Sequence, residues 1–228
     1  MLGPFRGAIG YKVDDVRALL IAAKELTLAK SRLARLALEQ RAALARAMFE
    51  DVLAAARAVK AIDCVAVVTS DRTLLQSAQA AGALGIDERY PRGLNAAVAM
   101  ATQELIAAGV TTLCTLLSDT PSVAPADIET VLAQVPRPGG VVLVPSRDGH
   151  GTNLILRHPP DIIPTRFGMH SLALHRALCQ DAGVAFRVVP LPGPALDLDE
   201  MADLADFARL ARPSHTLDEL CRLELAIL

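Results

Sequence analysis

Aromatic residues are scarce in this 228-residue sequence: they make up 3% of it, and tryptophan is absent. Hydrophobic residues make up 52%, a share raised by alanine, so the core must be built from Leu, Val, Ile and Ala. A chain of this length can bury about 70% of the surface that its unfolded form exposes, so its fold needs no disulfide or metal to hold it together. The length fits one large α/β domain or two small ones.

Cysteine is also sparse, and its spacing excludes two kinds of site. The four cysteines form no C-x-x-C pair, and two of them lie inside apolar, strand-like runs. This spacing argues against a disulfide framework and against a zinc site. We therefore expect reduced core cysteines in a cytoplasmic protein. The four are Cys64, Cys114, Cys179 and Cys221.

The sequence lacks long apolar runs and an excess of basic residues. No uncharged apolar stretch approaches the roughly 18 residues of a membrane span, and charges such as Arg6 and Lys12 interrupt any signal-peptide core. With 23 basic and 25 acidic residues, the net charge is −2. We expect neither membrane insertion nor nucleic-acid binding, since no basic excess is present to neutralise phosphates.

Familiar catalytic motifs are missing as well. The chain has neither the G-x-x-x-x-G-K-[ST] phosphate loop nor a G-x-S-x-G nucleophile elbow. Its histidines show no metal-ligand spacing. These absences argue against a P-loop nucleotidase and weaken any hydrolase interpretation.

Apolar strand-like runs alternate with helical patterns along the chain. This alternation predicts an α/β fold with a mostly parallel, mixed sheet covered by helices on both faces. We expect one domain over 1–228, with a core of about 16–211 and a C-terminal helical extension over 212–228, which packs on the domain or on a neighbouring subunit. The predicted strands are 16–23, 64–69, 84–86, 111–117, 141–145, 153–157 and 185–189, and the predicted helices are 38–59, a short one from 70–71, 93–108, 125–134, 169–181, 200–211 and 214–228.

Three aspartates are candidates for metal binding. Asp119 follows an apolar run, and a carboxylate at the end of a strand is well placed to hold a hard cation. Asp197 and Asp199 lie two residues apart, so in an extended chain their carboxylates point to the same side and repel each other. No basic residue lies nearby in sequence, which favours a cation between them. In the competing interpretations Asp119 is a turn residue, and Asp199 caps the helix that starts at Glu200.

Basic residues follow the first predicted strand. Lys24, Lys30 and Arg32 lie in this loop, where they could neutralise a triphosphate. A solvated surface cluster is the competing interpretation.

Two glycine-containing segments are candidate anion sites. The turn over 147–153 could offer backbone N–H groups and the hydroxyl of Thr152, although a plain hairpin explains it equally well. The segment 167–171 leads into a helix, whose free N–H groups and Ser171 could receive a phosphate or carboxylate. A simple helix cap is the alternative for Ser171.

A third segment could reach the nucleotide. Gly93 and Asn95 open a helix after a polar loop and could contact a base or ribose, though the segment taken alone favours an ordinary helix start. His175 shares a helix face with Ser171. It could touch the substrate, while a packed, hydrogen-bonded histidine is the competing interpretation.

Taken together, these segments resemble the 2-phospho-L-lactate guanylyltransferase family of deazaflavin coenzyme F-420 biosynthesis. The resemblance covers about 16–210 in the family's order. Its pieces are the run Ala29-Lys30-Ser31-Arg32-Leu33, the run Gly93-Leu94-Asn95-Ala96-Ala97, the Asp119 loop, Gly151-Thr152-Asn153, Phe167-Gly168-x-x-Ser171-x-x-x-His175, and Asp197-x-Asp199-x-x-x-Asp203-Leu204.

The resemblance implies an enzyme of the nucleotide-diphospho-sugar-transferase and molybdenum-cofactor-guanylyltransferase fold. Its implied activity is to join GMP from GTP to 2-phospholactate, phosphoenolpyruvate or 3-phosphoglycerate, with Mg²⁺, expected as two ions, as cofactor. The resemblance implies metal ligands at Asp119, Asp197 and Asp199 and an acid site at Thr152, Gly168 and Ser171. From the positions of the residues in the sequence, we expect a nucleotide site at Lys24, Lys30, Gly93 and Asn95 and a catalytic group of Lys30, Arg32 and Asp119.

The chain departs from the family pattern at three places. It has Asp119-Thr120-Pro121-Ser122-Val123 in place of Asp-Leu-Pro-Leu-Leu, Ala22-Ala23-Lys24 in place of Pro-Val-Lys, and Asp199-Glu200-Met201 in place of Asp-Thr-Pro. The expected ligands survive these changes. The alternatives are a nucleotidyltransferase of the same fold for a sugar phosphate or molybdopterin, and a nucleotide-binding regulatory protein without turnover. A homodimer is compatible with the sequence.

Overall fold

The computed structural model describes residues 15–30, 32–210 and 212–225. The expectations for the first fourteen residues, for Ser31, for Ala211 and for the last three residues therefore lie outside the described part. The strands are β1 (Arg17–Ala22), β2 (Cys64–Thr69), β3 (Leu84–Asp87), β4 (Thr112–Leu117), β5 (Gly140–Pro145), β6 (Thr152–His158) and β7 (Phe186–Val188). The helices are α1 (Leu38–Arg57), α2 (Arg72–Ala80), α3 (Leu94–Ala107), α4 (Pro125–Ala133), α5 (Ser171–Asp181), α6 (Pro192–Ala195), α7 (Met201–Leu210) and α8 (His215–Arg222).

The described strands form one seven-stranded sheet in the order β3-β2-β1-β4-β6-β5-β7. Strands β1, β2, β3 and β4 pair in parallel, as do β5 and β7, whereas β6 runs antiparallel to both of its neighbours. The predicted mixed, mostly parallel sheet is confirmed. Because β6 runs in the opposite direction, its first residues lie at the same end of the sheet as the last residues of β1 and β4.

Helices cover both faces of the sheet. Alternate residues of β1 point to opposite faces: Leu19 and Ile21 pack with side chains of α1, α2 and α4, and Ala18 and Leu20 pack with side chains of α3 and α5. Strand β2 is buried along its whole length. Strands with such continuous apolar sequences are expected in a sheet that is buried on both faces.

The C-terminal segment packs against the rest of the chain. Leu220 of α8 is fully buried with Leu44 and Met48 of α1 and Phe207 of α7. The carboxylate of Asp51 on α1 accepts the first N–H groups of α8 at 2.9 Å. A helix over 214–228 was expected here, and the observed α8 is shorter because its last turn closes at Leu223.

Several boundaries differ from the predictions for local reasons. The helix expected at Met169 begins at Ser171, because His170 has a left-handed φ of 58° and Gly168 a φ of 125°. Thr152 belongs to β6 and not to the preceding turn. The one-turn helix α6 and a 3-10 turn at Leu26–Leu28 were not predicted. Both are too short to show a periodic pattern.

The cysteine prediction is confirmed at three positions and wrong at one. All four cysteines are free; Cys64, Cys114 and Cys179 are buried, but Cys221 is exposed on α8. In the described part of the chain, no helix is both long and apolar enough to cross a membrane.

Candidate active site

A cavity of about 650 Å³ opens where β1 and β4 end and β6 begins. This volume is in the ordinary range for small-molecule sites, and the carboxyl ends of parallel strands are the usual position for such a site. Nine of the eleven residues predicted for the site line this cavity. They are Lys24, Lys30, Arg32, Asp119, Thr152, Gly168, Ser171, Asp197 and Asp199.

Asp119 and the Asp197–Asp199 segment meet although they are far apart in sequence. The backbone N–H of Leu198 donates to the carbonyl oxygen of Asp119 at 3.1 Å, which fixes the two segments side by side. Oδ1 of Asp119 is buried and has no hydrogen-bond partner among the described residues. An unpartnered carboxylate oxygen in a cavity is energetically costly, so it marks a place where a cation or donor is needed.

Lys30 lies between two of these carboxylates. Its Nζ is 3.0 Å from Oδ2 of Asp119 and 3.0 Å from Oδ1 of Asp199, and the side chain is only 5% exposed. Arg32 adds a longer contact of 3.3 Å to Asp199 from the surface. Lys30 has a left-handed φ of 53°, a conformation that costs a non-glycine residue energy.

A basic residue does lie beside the aspartates, contrary to the expectation from their neighbours in sequence. In the folded chain, Lys30 supplies a positive charge to Asp199 across 169 residues. Lys30 and a metal ion are not mutually exclusive, because Oδ1 of Asp119 and the carboxylate of Asp197 have no cationic partner among the described residues.

The pKa values follow from this charge distribution. Burial opposes the charge on Lys30, but Asp119 and Asp199 outweigh it and raise the pKa of the ammonium. Burial likewise acts to raise the pKa of Asp199, yet Lys30 and Arg32 lower it overall. Burial raises the pKa of Asp197, and the negative charges of Asp119 and Asp199 add to the rise against a hydrogen bond from Asn153. Asp197 is therefore the carboxylate that most needs a further positive charge.

Across the cavity, two hydroxyl groups lie together. The backbone N–H of Thr152 donates to Oγ of Ser171 at 2.7 Å, which joins the start of β6 to the first residue of α5. The positive end of the α5 dipole faces the same space. Gly168 precedes it with a φ of 125°, where a side chain would be strained. The predicted acid-binding residues are thus brought together at the N-terminus of α5. The N–H groups of Ser171 and Leu172 are not free, however, because they donate to the carbonyl oxygens of Gly168 and His150 at 3.1 Å.

The turn over 147–153 was predicted as a backbone anion site, but several of its N–H groups already donate hydrogen bonds within the turn. The N–H of Gly151 donates to Oγ of Ser146 at 2.7 Å, and the N–H of His150 donates to Oδ1 of Asp148 at 2.9 Å. The hairpin interpretation therefore accounts for these amides. The turn still lines the cavity with its side chains.

Gly93 and Asn95 are the two predicted residues that do not line the cavity. The Asn95 amide donates to the carbonyl oxygen of Phe167 at 2.9 Å and accepts the N–H of the same residue at 2.7 Å. Asn95 thus holds the loop that carries Gly168, and its polar atoms already have partners. The nucleotide contact predicted for Gly93 and Asn95 stays a prediction.

Three residues outside the predicted set hold the aspartate segment in place. Asn153 donates to Oδ1 of Asp197 at 3.1 Å. Asp203 accepts the N–H groups of Asp199 and Glu200 at 3.1 Å and 2.8 Å, and it also pairs with Arg147. An acidic residue three positions after a helix start is a capping signal that can be seen in the sequence. The salt bridge between Asp203 and Arg147 could not be predicted from the neighbouring sequence.

His175 is fully buried on α5, one turn after Ser171. Burial lowers the pKa of its imidazole from 6.5 to about 4, and the charges of Arg157 and Arg166 add to this effect. The ring is therefore neutral at physiological pH. The alternative of a packed, hydrogen-bonded histidine is the one that the structure supports.

The depressed pKa of His175 predicts a pH dependence of stability. The unfolded chain binds this proton more readily than the folded protein, so the stabilisation is complete above pH 6.5 and is lost as the pH falls toward 4. Between pH 7.5 and 5 we expect a loss of about 2 kcal/mol from this group. Urea unfolding of the wild type and of His175→Leu at both pH values isolates it. Equal losses in the two proteins would contradict the assignment.

Comparisons with known proteins identify relatives of this chain. The profile of the family described as guanylyl transferase, CofC-like, matches residues 17–226. The phosphoenolpyruvate guanylyltransferase of Conexibacter woesei is 38% identical over 81% of this chain and 84% of its own length. That of Sphaerobacter thermophilus is 34% identical over 88% and 96%.

A solved structure supports the fold. A protein from Desulfovibrio desulfuricans G20, assigned to the nucleotide-diphospho-sugar transferases, superposes with a TM-score of 0.74. The match covers 93% of this chain and 97% of the other at 19% identity, so it bears on the fold alone. The predicted fold type is confirmed. From the family profile and the two relatives, the chain belongs to the CofC-like guanylyl transferase family.

Proposed function

We propose that the protein transfers GMP from GTP to the phosphate of a small phosphorylated carboxylic acid and releases pyrophosphate. Phosphoenolpyruvate is the first candidate acceptor, because the relatives carry it in their names. The adduct would serve deazaflavin coenzyme F-420 assembly, as in the family that the chain resembles. The observation that carries the proposal is one cavity that is lined both by Asp119, Asp197 and Asp199 and by Thr152 and Ser171.

The charges of the cavity argue for divalent cations. Its lining holds six acidic side chains and four basic ones, so it would repel a free triphosphate. The acidic residues are Asp119, Asp148, Asp197, Asp199, Glu200 and Asp203, and the basic ones are Lys24, Lys30, Arg32 and Arg147. Two Mg²⁺ ions would reverse this balance.

The residues fit such ions, although no group of three metal-binding side chains is preassembled in the described part of the chain. Oδ1 of Asp119 has no partner among the described residues, and the pKa of Asp197 is raised by burial and by the charges of Asp119 and Asp199; a cation would satisfy both carboxylates. We propose Asp119, Asp197 and Asp199 as the ligands. Bound Mg²⁺ would neutralise the triphosphate and the developing charge on the leaving pyrophosphate.

The chain's own residues position the two reactants. An oxygen of the acceptor's phosphate attacks the α-phosphorus of GTP; the bond from that phosphorus to the β-phosphate oxygen breaks, and its electron pair leaves with pyrophosphate. A phosphate monoester is mostly dianionic at neutral pH, so no general base is needed. Thr152 and Ser171 hold the acceptor's phosphate, while Lys24, Lys30 and Arg32 hold the triphosphate. Catalysis is then positioning together with charge stabilisation.

Incubation with GTP, Mg²⁺ and single acceptors tests the proposal. We expect a guanylylated adduct by mass spectrometry with phosphoenolpyruvate, 2-phospholactate or 3-phosphoglycerate, and one of the three should be preferred at least about tenfold in kcat/KM. Lactate, pyruvate and glycerate serve as controls and should yield none, because they lack the attacking phosphate. Turnover of a sugar phosphate in preference to all three acids would overturn the proposed acceptor class.

A further inference from the structure

The proton on His175 can be assigned from its partners. The backbone N–H of Arg166 donates to Nε2 of His175 at 2.8 Å. A backbone amide can only donate, so Nε2 must hold a lone pair. The neutral ring consequently carries its single proton on Nδ1. In a charged ring, the N–H at Nε2 would face the N–H of Arg166. This repulsion opposes the charged form, as do burial and the nearby arginines described above.

Among the described residues, the Nδ1 proton has one partner. Oγ1 of Thr152 lies 3.1 Å from Nδ1 of His175. Because Nδ1 carries the proton, His175 donates and Thr152 accepts. The Thr152 hydroxyl therefore cannot donate to the ring, and its own hydrogen must point elsewhere.

Within the described residues, Thr152 Oγ1 makes its hydrogen bond to His175 and to no other group. The side chain lines the cavity, so the hydroxyl hydrogen is available to a ligand there. Oγ of Ser171 is in the same state, because it already accepts the N–H of Thr152. Each hydroxyl thus keeps a hydrogen to donate, an arrangement that suits a ligand atom able only to accept.

We propose that His175 is a positioning residue, which fixes the Thr152 hydroxyl as a hydrogen-bond donor to the phosphate of the acceptor acid. The proposal rests on the proposed function, since it assigns Thr152 to that phosphate. His175 reaches the substrate only through Thr152. It adds no charge to the site, and its effect is confined to the orientation of one hydroxyl group.

A double-mutant cycle tests this dependence. Thr152→Val removes the donor and keeps the shape, and we expect the KM for the acid to rise about tenfold or more. His175→Leu frees the hydroxyl to rotate, and we expect a rise of about fivefold. The double variant should match Thr152→Val within about twofold, because His175 has nothing left to orient. Multiplying effects would overturn the proposal, and the KM for GTP should stay unchanged in all three variants.

A conservative variant separates positioning from packing. The side-chain amide of His175→Asn can take the place of Nδ1 and donate to Thr152, but it cannot reach the Arg166 N–H. We expect His175→Asn to lose stability like His175→Leu while keeping a KM for the acid within about twofold of wild type. A KM that rises equally in both variants would show that His175 acts through packing alone.

The tautomer itself can be measured without turnover. In the ¹⁵N-labelled wild-type protein at pH 7, two-bond ¹H–¹⁵N spectra should show a protonated Nδ1 and an unprotonated Nε2 for His175, identified by its loss in His175→Asn. A proton on Nε2 would overturn the inference even if guanylyl transfer is confirmed. The expected tautomer combined with no transfer to any acid would instead refute the proposed function.

Discussion

Replacing Asp197 by asparagine is expected to reduce guanylyl transfer about a thousandfold or more without lowering the stability of the protein. The carboxylate lies beside Asp119 and Asp199, and burial together with their charges raises its pKa. Asparagine removes this repulsion and can still accept the hydrogen bond from Asn153. The substitution is therefore expected to stabilise the folded state while it removes a carboxylate that the reaction needs. Such a trade-off between stability and activity is common at functional sites.

Asp119→Asn should show the same loss of transfer, because the buried Oδ1 would no longer belong to a carboxylate. Initial rates of pyrophosphate release and thermal unfolding give the two readouts. Asp181→Asn is a matched control: Asp181 is exposed at the far end of α5, about 15 Å from Ser171. Near-normal turnover in Asp197→Asn and Asp119→Asn would refute the metal assignment. Loss of folding in Asp197→Asn would refute the electrostatic account.

Lys30→Met is expected to separate transfer from metal binding. Its ammonium bridges Asp119 and Asp199, whose oxygens lie within about 6 Å of each other because each is 3.0 Å from Nζ. Without the ammonium, both carboxylates are free to bind a divalent ion. Without nucleotide, we expect Mn²⁺ to bind about tenfold more tightly than in the wild type. Transfer should nevertheless fall about a hundredfold, since the triphosphate loses a buried cation.

Mn²⁺ binding can be followed by electron paramagnetic resonance in the absence of GTP, and transfer by adduct formation. Arg35→Gln is the control, because Arg35 is exposed in the same loop and does not line the cavity. Unchanged or weaker Mn²⁺ binding in Lys30→Met would mean that Lys30 does not occupy the cation position. Full transfer in this variant would remove Lys30 from the catalytic group.

Much of the fold was predictable because each buried element leaves a local pattern. The apolar runs at β1, β2 and β4 can lie only in a sheet with both faces covered, and Asp71 capped the helix that it was expected to start. The order of the strands and the reversal of β6 have no such pattern. They depend on which apolar surfaces fit together over long sequence distances.

Most residues of the site could be predicted from the sequence, whereas most of their contacts could not. Strand ends on one edge of a sheet converge, so Asp119 and Thr152 could be expected near each other. The partners of Lys30, by contrast, lie 89 and 169 residues away and carry no signal in its neighbourhood. The same limit applies to the two hydrogen bonds between Asn95 and the backbone of Phe167, which lies 72 residues away.

The fate of the α-phosphorus tests the central claim most directly. The wild-type protein is incubated with phosphoenolpyruvate, Mg²⁺ and GTP labelled at either the α- or the γ-phosphate. The account predicts that the α-label appears in the acid adduct and the γ-label in pyrophosphate. An α-label found in GDP, with the γ-label in orthophosphate or on the acid, would contradict it.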